Sequence, residues 1–360
     1  MTDVIRVAPD NPDRAAIARA ADCLRKGGLV AFPTETVYGL GVDALNRAAV
    51  QRLFEAKQRP STDPLIVHVG SFEQLPALVS RMPDSARALS TRFWPGPLTL
   101  ILPRSARVPD EVTAGLPTVA VRVPLHPVAR ALIDAAAVPV AAPSANLFSR
   151  PSPTQASHVI EDLDGRIDLI VDGGPTTIGV ESTVLDLTTD PPTVLRPGAV
   201  TIEMLCEALP GVELLPGFGV RDSGLGNTAT PMPSPGMLEK HYSPRAALTL
   251  FEGHSSAVIP ALVAAASIAS AGGKTVGIIA AEEDRAALAS VVEAHSRLLV
   301  RILGSRDTPA AVASMLYATL RELDAAGADV VFVRGFPDGG LWTAIQDRLR
   351  RAAAGRIVRL

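Results

Sequence analysis

Apolar residues recur at helical spacing over residues 13–26, where Ile17, Ala20, Ala21 and Leu24 share one face, and Gly27-Gly28 predict the stop. LVAF follows as a short buried strand that Pro33 ends. Asn46 predicts the cap of a second helix, AAVQRLFEAKQR, with Val50, Leu53 and Phe54 inward and Pro60 beyond its end. LIVHV, LTLIL, VAVRV, VPVAA, LIVD, TVLDL and TVLRP read as strands, with helical stretches between several of them. That order predicts an α/β domain built on a large, twisted, mixed sheet. Residues 210–245 then turn rich in Gly, Pro, Ser and Thr, as a linker or a long functional loop does. Beyond them LTLF, TVGIIAA, LVRIL and DVVFVRG predict further strands. Thr308 and Pro309 open a helix with Val312, Met315, Leu316, Leu320 and Leu323 inward, and Gly327 closes it. The expected organisation is a catalytic domain at 13–202, a linker or lid at 203–245, and a smaller Rossmann-like α/β domain at 246–360.

Composition narrows the picture. The chain has 360 residues, enough for two domains with their own cores, and its net charge of −3 gives no global basic field for nucleic acid. Cys23 and Cys206 have neither zinc-ligand spacing nor the numbers for a disulfide framework, which fits a reducing cytoplasm. The opening MTDVIRVAPDNPDR lacks the apolar core of a secretory signal, and the uncharged run Ser255 to Gly273 is too short and polar for a membrane span. GGKT at 272–275 lacks the first glycine of a phosphate-binding loop, Ile268 standing there, and it precedes a strand instead of following one.

Candidate chemistry lies at the strand ends. PTETVYGLG sets three hydroxyls and a carboxylate directly after a strand, suited either to a polar ligand or to a local turn. Lys57 and Arg59 end a helix, where they suit a triphosphate or simply the helix dipole. Ser144-Ala145-Asn146 and Ser152-Pro153-Thr154 follow a strand as hydroxyl-bearing turns, and Glu181, Ser182 and Thr183 precede another. Arg122 sits inside the apolar strand VAVRV, on the face of Ala120, and needs a substrate or protein carboxylate; Arg196 ends TVLRP in a similar setting.

The series PTETVYGLG, KQRPSTDPLIVHV, FWPGPLTLIL, VAVRVP, APSAN with SPT, ESTVLDL and LRPGAV resembles the threonylcarbamoyl-AMP synthase (YrdC-like) family. SPGMLEKHYSP at 234–244, followed by a second α/β domain, resembles its long two-domain form. The resemblance implies a concave cavity in which L-threonine, bicarbonate and ATP with magnesium yield threonylcarbamoyl-AMP and pyrophosphate for tRNA modification. It implies Thr36, His68, Arg122, Ala142 and Ser182 around threonine. It also implies Lys57, Arg59, Asp63, Thr118, Ser144, Ser152 and Arg196 around ATP, Lys57 near the phosphates, and Tyr242 folding over the nucleotide as a lid. Transient contact with the tRNA-transfer machinery is implied too, without stable nucleic-acid binding. Two positions depart from the family pattern: Asp63 stands where Asn is usual, and Ser149 where Gly is. Two other activities compete: a carbamoyl-adenylate enzyme using carbamoyl phosphate, and an RNA-binding module for which DRLRRAAAGRIVRL supplies local basic charge.

Overall fold

Asp13 accepts a hydrogen bond from Ala16 N and starts the helix Arg14–Arg25, whose buried residues are the predicted Ile17, Ala20, Ala21 and Leu24. Asn46 caps Arg47–Lys57 in the same manner. A computed structural model describes residues 1–215, 231–237, 241–294 and 296–360. The chain forms two compact units, Met1–Phe148 with Ser152–Leu238, and Ser149–Pro151 with Glu239–Leu360.

The sheet of the first unit holds β1 (Asp3–Arg6), β2 (Val30–Pro33), β3 (Tyr38–Asp43), β4 (Ile66–His68), β5 (Leu98–Pro103) and β6 (Thr118–Arg122). It continues with β7 (Val140–Ala141), β8 (Leu169–Asp172), β9 (Thr183–Asp186), β10 (Thr193–Arg196) and β11 (Glu213–Leu214). Their order is β1-β8-β2-β3-β7-β4-β6-β5-β9-β10-β11, with parallel and antiparallel neighbours mixed. Strand alternation divides the side chains between faces. On β2, Val30 and Phe32 join the core under helix Arg14–Arg25, whereas Ala31, like Leu29 just before the strand, joins the core under helix Arg47–Lys57. From β4 to β10, Val67, Leu100, Val119 and Val121 face that second core, and Ile66, Ile101, Ala120, Val184 and Leu195 face the other way. Trp94 belongs to this unit and donates its indole N–H to Leu98 O.

In the second unit β12 (Ala247–Glu252), β13 (Val276–Ala280), β14 (Leu298–Ile302), β15 (Val330–Arg334) and β16 (Ile357–Arg359) lie in the order β14-β13-β15-β12-β16, every neighbouring pair parallel. Helix Ser255–Ala271 buries Val258, Ile259, Leu262 and Ala266. Trp342 stacks on Phe336 with ring centres 5.0 Å apart. Among the described residues no helix is long and apolar enough to cross a membrane.

The structure differs from the sequence reading in places. Met315, expected inward, is 48% exposed, because the helix Pro309–Ala325 turns Val312, Leu316 and Leu320 inward instead. Residues 203–214, within the expected linker, supply β11 and all but the first residue of helix Ile202–Ala208 to the first unit. Much of the remaining linker, residues 216–230 and 238–240, lies outside the described residues. Ser149 has φ +67, the left-handed conformation in which a Cβ is unfavourable by about 1–2 kcal/mol, so the position does ask for glycine.

Candidate active site

PTETVYGLG is a β-hairpin: β2 and β3 pair antiparallel around the loop 34–37. Thr34 builds the turn, its Oγ1 accepting from Thr36 N and Val37 N and donating to Val37 O. Thr36 and Glu35 are thereby presented to β6. Arg122 Nη1 donates to Thr36 Oγ1 at 3.1 Å, Nη2 meets Glu35 Oε1 at 2.6 Å, and Nε donates to Gly96 O. The buried arginine thus has a protein carboxylate as its partner. A guanidinium has five N–H groups, so two remain.

Parallel pairing puts His68 beside Arg122 across β4 and β6, on the face that carries Ile66 and Ala120. His68 is buried, and its Nδ1 has no hydrogen-bond partner. Burial first, and the Arg122 charge second, lower its pKa from 6.5 to about 3, so the ring is neutral. Ala142 closes the group, its N donating to Ile66 O.

The next strands carry a second group. Ser182, just before β9, shares a hydrogen bond with Thr99 Oγ1. Arg196 donates from Nη2 to Ser182 Oγ, from Nε to Ser182 O and from Nη1 to Pro235 O. Arg59 turns back on its own loop, with Nε to Asp63 O, Nη2 to Pro64 O, and Nη2 2.9 Å from Asp63 Oδ2. The last contact is an ion pair without hydrogen-bond alignment. Asp63 is completely buried; burial pushes its carboxyl pKa up, while Arg59, Lys57 and Arg196 oppose the shift. Three cations thus act on this one carboxyl group. Lys57 Nζ donates to the carbonyls of Ser144 and Asn146, tying the helix end to the turn after β7. Thr118 lines a small cleft with Pro64, Ile101, Ala120, Pro233 and Pro235. Buried Ser152 donates to Glu181 Oε1.

The segment 231–237 packs on this same face. Met232 and Met237 join the cluster of Ile66, Ile101, Ala120, Val184 and Leu195, and Met232 N donates to Thr62 O. Tyr242 belongs to the second unit, where its ring lies against His241, Tyr317 and the Arg348 guanidinium, with φ at +60.

Residues 22–198 match the Sua5/YciO/YrdC family, described as telomere recombination, and residues 200–354 match the threonylcarbamoyl-AMP synthase C-terminal domain. A threonylcarbamoyl-AMP synthase of Pyrococcus abyssi is 42% identical over 360 residues, 100% of both chains. One from Bacillus subtilis is 46% identical over 344 residues, 95% of this chain and 94% of the relative. The chain belongs to the threonylcarbamoyl-AMP synthase family. Its fold matches the crystal structure of P. abyssi Sua5 complexed with L-threonine at a TM-score of 0.90, with 42% identity and 100% of each chain covered.

Against that family background, the sequence reading left out of its site the partners that hold the site residues. Glu35 pairs with Arg122, Thr99 with Ser182, and Glu181 with Ser152. Glu35 and Glu181 had a sequence signal, as the carboxylates of PTETVYGLG and ESTVLDL, whereas Thr99 had none.

Proposed function

We propose that the chain is an L-threonylcarbamoyladenylate synthase, a nucleotidyltransferase acting on L-threonine, bicarbonate and ATP. The observation that carries this reading is two groups of buried polar residues in the first unit: Arg122 with neutral His68 and Thr36, and Lys57, Arg59 and Arg196 around Asp63. The first suits a small amino acid and the second a triphosphate. Threonine's carboxylate takes the two N–H groups left on Arg122, with Thr36, His68, Ala142 and Ser182 around it. Its amine takes up carbon dioxide derived from bicarbonate and releases a proton, giving a carbamate. A carbamate oxygen bonds to the α-phosphorus of ATP as the bond to pyrophosphate breaks. The chain then contributes alignment and charge stabilisation, with no residue as nucleophile.

Lys57, Arg59, Thr118, Ser144, Ser152 and Arg196 line the ATP side, where burial keeps water from the mixed anhydride. Asp63, the carboxylate of this group, is already paired with Arg59. No cluster of metal ligands exists among the described residues, so magnesium would arrive on the ATP phosphates and would neutralise charge on their oxygens there. Free Cys23 and Cys206 suit a cytoplasmic setting. Other proteins pass the threonylcarbamoyl group on to tRNA.

With magnesium and ATP, the purified chain should release pyrophosphate only when threonine and bicarbonate are both supplied. Release driven by carbamoyl phosphate would replace this reading with carbamoyl-adenylate chemistry. No release under any combination, with tight RNA binding, would favour a binding module.

A further inference from the structure

Glu35 is 3% exposed, yet no step of the proposed reaction uses it. Its Oε1 lies 2.6 Å from Arg122 Nη2, its Oε2 accepts from Leu125 N at 3.1 Å, and its backbone carbonyl accepts from Ile178 N at 2.8 Å. The carboxylate is therefore fixed by both oxygens. It cancels the Arg122 charge before any ligand arrives, and neutral His68 adds none. A bare carboxylate that docks on the remaining Arg122 N–H groups meets Glu35 on the same guanidinium. Like charges that close, in a buried site, repel strongly. A ligand with a positive or N–H-donating group beside its carboxylate offsets the repulsion.

We infer that Glu35 is a specificity-determining residue: it makes the pocket accept an α-amino acid and refuse the amine-free acid of the same shape. The inference rests on the proposed assignment of Arg122 to the threonine carboxylate. It separates Glu35 from a merely structural brace, which would hold the hairpin loop equally for either ligand.

The test is calorimetric titration of the full chain with L-threonine and with β-hydroxybutyrate of the same β-carbon configuration. Wild type should prefer threonine by at least about 100-fold, as a site that pairs a buried polar group with its ligand does. Glu35→Gln should lower that preference at least about tenfold, chiefly by admitting the hydroxy acid, because the amide removes the repelling charge. Glu35→Asp keeps the charge and should keep the preference. Equal affinity of wild type for both ligands overturns the inference without any variant, even if Glu35→Gln fails to fold. Equal weakening of both ligands in Glu35→Gln also overturns it. The reaction itself is tested separately by threonine-dependent pyrophosphate release. Absence of release, with selective threonine binding intact, would sink the proposed reaction and leave the role of Glu35 standing.

Discussion

The guanidinium of Arg122 serves three protein acceptors at fixed angles, which a lysine ammonium cannot reproduce. Arg122→Lys keeps the charge and loses the fork. Steady-state pyrophosphate release should show the threonine KM rising about 10- to 100-fold, the loss of one or two charge-assisted bonds, with the ATP KM little changed. An equal rise in both would argue against assigning Arg122 to threonine. His68 adds a pH signature. Its pKa is about 3 in the fold and 6.5 in the reference state, so between those values the unfolded chain binds the extra proton. Stability should then fall as pH falls through that window, by up to about 1.4 kcal/mol per pH unit. His68→Gln, neutral throughout, should flatten urea midpoints measured from pH 7 down to 4; parallel curves for the two chains would rule out the neutral buried ring. Arg122 was conspicuous in the sequence because an arginine interrupts VAVRV. Glu35 was visible as a carboxylate, but its pairing with Arg122 was not, because it depends on how a distant hairpin docks on β6.

The hairpin shows how far local pattern reaches. LVAF was legible as β2, but β3 was not, because Gly39 and Gly41 depress strand propensity. Gly41 is there for space: a Cβ would lie 2.7 Å from the Phe32 ring and 2.8 Å from Val140. β1 was missed for a related reason, since four residues among Asp and Pro carry no periodic signal, and only pairing with β8 makes them a strand. Between β2 and β3 the loop depends on the Thr34 hydroxyl. Thr34→Val removes the acceptor of two buried N–H groups and should cost about 2–3 kcal/mol of stability. Because Thr36 rides on that turn, the threonine KM should rise along with the loss in chemical denaturation. A stability loss with an unchanged KM would separate the turn from the site.

At the scale of the whole molecule, the two-domain order was legible because strand and helix patterns restart after a polar tract. The return of residues 231–237 to the face of the first unit was not, since Met-Pro-Ser-Pro-Gly-Met has neither helical nor strand period. Met232 is nearly inaccessible there, and Met232→Ala should destabilise the first unit by about 2–3 kcal/mol, with the loss visible in calorimetry. A change near zero would mean that the segment leaves this face in solution. The chain's two tryptophans fall one to each unit, Trp94 on the first and Trp342 in its stack with Phe336 on the second. Each unit therefore carries its own fluorophore. A Trp342→Phe chain would emit from the first unit alone, so a spectral change on adding threonine or ATP could be assigned to one half of the molecule without any label.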